Sequence, residues 1–308
     1  MNHDEYAVID IGSNSLRLMK GWQDEPGIWK FTPKLLATTR LGKYIDTTKR
    51  LSPEGMEESF AAMEQWQPLL EGVPVCAVAT SAVREARDGK AFLAEVRARF
   101  GWHCRAVSGI EEASLSFCGA ASTVPPKTIV AVLDIGGGSS EVAVGAAGIV
   151  RWSHSYPMGA VRFTKNDLMT EADIHELESH CLSAWLPMKV RPTLLIGVGG
   201  TLTTLAAMDM ELAEYDPERI EGYTVTLGRL SRHIEKLSHM TPEQRRHVPG
   251  LQPRRSDIII AGLVIARSFL MNYGISELTV SEKDLMEGVF YRHSFHDAAW
   301  RHTGRNRL

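Results

Sequence analysis

The tripeptide Asp-Ile-Gly closes an apolar run twice in this chain, as Asp10-Ile11-Gly12 within YAVIDIGSNSLRL and as Asp134-Ile135-Gly136 within VAVLDIGGGSSEVAVG. Each copy reads as strand, tight turn, strand: an apolar run, a short turn of small and hydroxyl residues, then a second alternating run. Two copies of one unit, one near the start and one near the middle of 308 residues, predict an α/β chain of two duplicated domains. Their turns are expected to face each other across a cleft.

The turns carry the chemistry of an anion site. Gly136, Gly137 and Gly138 lack a Cβ, so this turn can take positive φ and point successive N–H groups into one concavity, a phosphate cradle. Gly12, Ser13, Asn14 and Ser15 form the matching turn of the first copy, and Ser139 adds a hydroxyl to the second. Asp134 and Glu141, with Asp10 at the matching position, would repel a bare phosphate, so the pattern calls for a hard cation, and Mg²⁺ is the natural bridge. A third glycine turn, Gly197-Val198-Gly199-Gly200-Thr201, leads from an apolar strand into a helix and offers a second kind of anion site at the helix N-terminus. Its spacing fits neither GxGxxG nor GxxxxGK[ST], which removes support for a Rossmann dinucleotide fold or a Walker ATPase.

A net charge of −3 gives no general electrostatic attraction to nucleic acid or to an anionic membrane. The acidic N-terminus enters a strand directly, and no apolar run approaches membrane-spanning length, which leads to the expectation of a cytoplasmic protein. Cys76, Cys104, Cys118 and Cys181 are widely spaced without a CxxC pair and read as buried thiols. His175 and His180 imitate a zinc-protease helix but stand five residues apart, on different helix faces. Val124-Pro125-Pro126-Lys127 breaks the chain into domains of residues 1–124 and 125–308, with a C-terminal helix that could pack back on the first. Turn signals at Asp24 to Gly27 and a histidine-bearing tail with His293, His296 and His302 carry no defined ligand set.

Between the turns, Ser52-Pro53-Glu54 opens a scaffolding helix, and Val73–Arg84 reads as a strand running into a helix that Thr80 and Ser81 would cap. Arg84 falls in the first turn of that helix, where a cation opposes the helix dipole and needs an anion beside it. Its planar fork suits phosphate. Ser108 is the N-cap of a further helix whose first turn holds Glu111 and Glu112. Arg245, Arg246, His247, Arg254 and Arg255 form the densest basic cluster, a candidate polyanion contact before a helix from about residue 256.

In order along the chain, Asp10-Ile-Gly-Ser-Asn-Ser15, Ala79-Thr-Ser-Ala-Val-Arg84, Ser108-Gly-Ile-Glu-Glu112, Asp134-Ile-Gly-Gly-Gly-Ser-Ser-Glu141 and Gly199-Gly-Thr201 resemble the motifs of the exopolyphosphatase/guanosine pentaphosphate phosphatase (Ppx/GppA) family. Arg40-Leu-Gly42, Gly159-Ala-Val-Arg162 and Arg255-Ser-Asp257 extend the resemblance over nearly the whole chain. It implies a duplicated actin-like fold of ribonuclease H-like domains with the active site between them. By position it implies that Glu112 activates water, that Arg84 binds phosphate, and that Asp134 and Glu141 hold Mg²⁺ or shape its site. The glycine turns answer to its phosphate loops.

The implied activity is Mg²⁺-dependent hydrolysis of the terminal phosphate of inorganic polyphosphate. The alternatives are guanosine pentaphosphate (pppGpp) hydrolysis, a kinase of the same superfamily, or a non-catalytic sensor of these anions. Asp284 and Met286 depart from the pattern, standing where such proteins usually have glycine and arginine. A homodimer is a further expectation, since the extra C-terminal domains of longer members have no counterpart in this sequence.

Overall fold

The computed structural model describes residues 5–25, 27–164 and 170–292; Pro26 of the first expected turn and the tail histidines His293, His296 and His302 lie outside them. The first sheet holds β1 (Tyr6–Ile11), β2 (Ser15–Glu25), β3 (Ile28–Phe31), β4 (Leu35–Thr38), β5 (Val75–Ala79) and β6 (His103–Ala106). The second holds β7 (Val130–Ile135), β8 (Ser140–Ala146), β9 (Ile149–Tyr156), β10 (Leu194–Val198), β11 (Thr224–Thr226) and β12 (Glu277–Val280).

Their orders match. The first runs β3-β2-β1-β5-β6, with β4 pairing β2, and the second runs β9-β8-β7-β10-β12, with β11 added at the edge. In both, the first three strands form an antiparallel meander and the next two lie parallel to the opening strand. The chain therefore has the duplicated α/β fold of the actin-like class, with two mixed sheets. Residues of β1, β5 and β7 are almost all buried, which is why these segments read as continuous apolar runs instead of alternating ones.

The first half of the chain contributes α1 (Ile45–Thr48), α2 (Pro53–Trp66), α3 (Ser81–Glu85), α4 (Gly89–Phe100) and α5 (Gly109–Ala120). Ser52 caps α2 through the Gly55 N–H at 3.1 Å, and Phe60, Met63 and Trp66 bury its apolar stripe in the first core. The second half adds α6 (Glu171–Ala184), α7 (Gly200–Asp209), α8 (Pro217–Ile220), α9 (Leu227–Ser238), α10 (Pro242–Arg245), α11 (Ile259–Tyr273) and α12 (Leu285–Arg292). The helix expected from about residue 256 starts at Ile259, because Pro253–Arg255 is spent in a 3-10 turn. No helix among the described residues is long and apolar enough to cross a membrane.

Two helices exchange sheets. Ala113, Phe117 and Ala120 of α5 pack with Val130, Val132, Ala143 and Ile196 of the second sheet. Leu285, Met286, Val289 and Phe290 of α12 pack with Tyr6, Val8, Met19, Cys76 and Val78 of the first. Phe290 lies against Trp29 and Phe31, with ring centroids 5.0 and 5.1 Å away. Where α5 meets α12, Gly119 is obligatory, because a Cβ there would overlap the Asp284 carbonyl.

Candidate active site

The two signature turns are built alike. Gly12 N–H donates to the Ser15 carbonyl at 3.0 Å, and Gly136 N–H donates to the Ser139 carbonyl at 3.0 Å. Other carbonyls of the turns also accept backbone N–H groups. Thr39 and Arg40 donate to Asn14 and Gly42 donates to Ser13, while Ala160 donates to Gly136 and Val161 to Gly137. Among the described residues, no carbonyl occupies the N–H groups of Ser13, Asn14, Gly137 or Gly138. Donors without internal partners on two turns that face one cleft are what an anion needs.

The reason for the glycines differs from the sequence reading. None of Gly136, Gly137 and Gly138 has a positive φ. Gly137 and Gly138 answer to the approach of the two halves, whereas a Cβ on Gly136 would meet only the Ser139 carbonyl of its own turn. A Cβ on Gly138 would come within 2.6 Å of Ser81 Oγ and 2.7 Å of Ser13 Oγ. Positive φ is instead the property of the third turn, where Gly199 has φ 86° and a Cβ would meet Asp134 Oδ1 at 2.7 Å.

The turns enclose a cavity of about 270 Å³. Of the residues singled out in the sequence, Asp10, Gly12, Ser13, Asn14, Ser15, Glu112, Asp134, Gly136, Gly137, Gly138, Ser139, Gly199, Gly200 and Thr201 line it. Arg84 and Glu141 do not. Contrary to the expectation from the sequence, Arg84 falls in the last turn of the short α3, where a cation suits the helix dipole. It still has an anionic partner in Glu112: its Nη1 donates to Glu112 Oε2 at 2.7 Å and to the Val107 carbonyl at 2.9 Å. Glu141 stands opposite Asp134 across the β7–β8 hairpin, buried, and accepts from Ser155 Oγ at 2.6 Å. The Thr80 side chain makes no capping bond to α3. Ser13 Oγ, from the β1–β2 turn of the same half, accepts from Ala82 N–H instead, at 3.2 Å.

Glu112, 7 % exposed, enters from the first turn of α5, which Ser108 caps as expected by accepting from Glu111 N–H at 3.2 Å. Burial pushes the Glu112 carboxyl up to about 8, with Arg84 pulling it down and Asp134 and Asp10 adding repulsion. Burial likewise pushes Asp134 up to about 6, against a 2.6 Å hydrogen bond from Ser116. Asp10 is raised by burial against the opposing pull of Arg17, and its Oδ1 is buried without a hydrogen-bond partner. Glu141 is raised well above the usual carboxylate range by burial and by Glu112 and Asp134. Among the described residues no three His, Cys, Asp or Glu side chains converge as a ready-made metal cage.

Several lining residues were not assigned a role from the sequence: Arg17, Lys34, Tyr215, Glu282 and Asp284. Arg17 was open to detection, since the β1–β2 register places it opposite Asp10, as the β7–β8 register places Glu141 opposite Asp134. The basic cluster divides. Arg245 is fully buried and donates to the Leu237 carbonyl, Arg246 pairs with Glu243, Arg254 reaches the Thr38 carbonyl at 3.0 Å, and Arg255 alone lines the cavity. Burial lowers Arg255 to about 10. Ion pairs latch the flanks of the cleft: Arg40 with Asp257 at 2.8 Å, and Arg162 with Asp46 and Glu85. Lys43 lies over the Tyr44 ring, outside the cavity.

Two sheets of one topology, with paired glycine turns and buried carboxylates between them, define an actin-like protein of phosphoryl chemistry. The sequence profile of the Ppx/GppA phosphatase family matches residues 26–295, and the chain belongs to that family. It is 31% identical over 309 residues to exopolyphosphatase 2 of Mycobacterium tuberculosis, covering 92% of this chain and 96% of the relative. It is similar to the crystal structure of the Aquifex aeolicus Ppx/GppA family member, with 29% identity and a TM-score of 0.78 over 95% of this chain and 100% of that one. An exopolyphosphatase from Cytophaga hutchinsonii gives 26% identity and a TM-score of 0.84 over 93% and 96% of the two chains.

Proposed function

We propose that this chain is a cytoplasmic exopolyphosphatase that releases the terminal phosphate of inorganic polyphosphate with Mg²⁺ and with water activated by Glu112. One observation carries the reading: a buried carboxylate, pushed up to about 8, lines the same cavity as both phosphate turns. A base poised near working pH is matched to taking a proton from water.

In this reading the N–H groups of Ser13, Asn14, Gly137 and Gly138 hold phosphoryl oxygens, and Arg255 and the N-terminus of α7 hold the chain behind them. Water forms the new bond to the terminal phosphorus and gives its proton to Glu112. The bridging P–O bond breaks, and its electron pair stays with the shortened chain. Arg84 orients the Glu112 carboxylate, and an arriving phosphoryl oxygen would compete for the same guanidinium.

Asp10 and Asp134, at the ends of β1 and β7, are the residues to hold Mg²⁺, and the partnerless Asp10 Oδ1 supports that fit. Mg²⁺ keeps several waters and shares one or two carboxylates with substrate phosphates, so it needs no preformed cage. When bound it neutralises charge on the phosphoryl oxygens. Glu141, engaged by Ser155, sits behind this pair and shapes it.

The lining side chains Leu36, Tyr215 and Ile258 favour a second reading, in which a nucleoside tetra- or pentaphosphate such as pppGpp lays its base on the rim. Phosphate release from long-chain polyphosphate, tripolyphosphate, pppGpp and ATP, with and without Mg²⁺, ranks the substrates. ADP-linked transfer to an acceptor would point to a kinase, and tight binding with no release from any of the four would point to a sensor.

A further inference from the structure

One wall of the cavity carries an acid that the hydrolytic scheme leaves without a task. Asp284 lines the cavity, and its Oδ2 pairs with Arg17 and lies 3.4 Å from Lys34 Nζ. Both cations line the cavity too, and both are already held by another acid: Arg17 by Asp10 at 2.7 Å and Lys34 by Glu287 at 3.0 Å. Three carboxylates thus share two cations at this end. Arg255, which lines the same cavity, makes no ion pair among the described residues and donates to the Gln252 side chain.

Asp284 cannot turn away. Its Oδ1 accepts from Met286 N–H at 3.0 Å at the start of α12, its own N–H donates to Glu287 Oε2 at 2.8 Å, and its carbonyl is packed on Gly119. The carboxylate is a fixed part of the wall.

We propose that Asp284 is a specificity-determining residue of the phosphate site: by occupying Arg17 and Lys34 it makes this end of the cavity a poor home for free phosphate. An anionic chain is then held by Arg255 and the turn N–H groups, and the phosphate cut from it finds Arg17 and Lys34 already taken by Asp284 and leaves. The consequence for turnover rests on the hydrolytic reading above, whereas the effect on phosphate affinity does not.

The test is Asp284→Asn, which removes the charge and keeps a side chain that caps a helix equally well; Asp284→Ser, also a good cap, is the second variant should the first not fold. Calorimetry with inorganic phosphate should show binding tightened by about tenfold, the scale expected when one nearby charge is removed from a partly screened site. Product inhibition by phosphate should strengthen, and KM for tripolyphosphate should fall while kcat does not rise. Adding Arg17→Gln to Asp284→Asn should cancel the gain, which a purely structural role in capping α12 would not produce. Unchanged or weaker phosphate affinity in a variant that melts like the parent overturns the proposal. A parent protein that hydrolyses nothing overturns the hydrolytic reading and leaves the calorimetric comparison standing.

Discussion

The Arg84 guanidinium donates to the Glu112 carboxylate at 2.7 Å, so the two residues to which the family resemblance gives the reaction are each other's partner. Glu112→Gln keeps the size of the side chain and an acceptor for Arg84 while removing the base. Turnover should fall by roughly 10²–10⁴-fold, the usual contribution of a general base, with substrate affinity little changed. Steady-state kinetics beside a direct binding measurement decide it. Parental turnover would remove Glu112 from the mechanism.

The pH profile follows from the same carboxyl. A base must be unprotonated to act, and burial pushes Glu112 up to about 8, so kcat/KM should climb with pH and level off above about that value. Glu112 lies within electrostatic reach of Asp10 and Asp134, so a cation held there favours its ionised form. Raising Mg²⁺ should therefore shift the limb to lower pH. A flat profile between pH 6 and 9 at low Mg²⁺ would contradict this.

Stability should run the opposite way with pH. Asp10, Glu112, Asp134 and Glu141 are all raised in the folded chain, so the folded state holds their protons more tightly than the unfolded one. The stability this confers is complete below the ordinary carboxylate range and is lost as pH rises through about 6 for Asp134 and about 8 for Glu112. Melting without divalent cations should be lower at pH 8.5 than at pH 5.5. Mg²⁺ should recover more of it at the higher pH, and Glu112→Gln should flatten the slope.

Gly138→Ala tests the closeness of the halves. The added methyl would stand 2.6 Å from Ser81 Oγ and 2.7 Å from Ser13 Oγ, and overpacking of this kind costs about 1–3 kcal/mol. The melting temperature should drop and KM should rise, because the two turns are forced apart. A variant with parental melting and KM would show that the turns do not meet this closely in solution.

The repeated Asp-Ile-Gly turns made the duplication legible, because one local pattern at two places has few structural explanations. The glycine and hydroxyl turns could be read from their own residues, whereas Glu112 read locally only as a first-turn acid and was tied to the site by the family resemblance. Lys34 and Tyr215 escaped because each comes from a different, unremarkable segment, and Asp284, visible only as a departure from the family pattern, gave no sign of its partners; the packing of the two sheets brings all three to one cavity. The basic cluster misled as a unit: neighbours in sequence such as Arg254 and Arg255 point to different places, and Arg245 is a core residue. The glycine run was read as a need for positive φ when the need is for contact, a distinction only the opposite half of the molecule supplies.

The exchange of α5 and α12 has a consequence for the nascent chain. The first sheet is complete in its strands once β6 has been made, yet the face lined by Tyr6, Val8, Met19 and Val78 is covered by α12, whose residues are added almost two hundred positions later. During translation that apolar face waits for its lid, exposed to chaperones and to other unfinished chains. Synthesis of α12 would then be the event that covers this face of the first sheet.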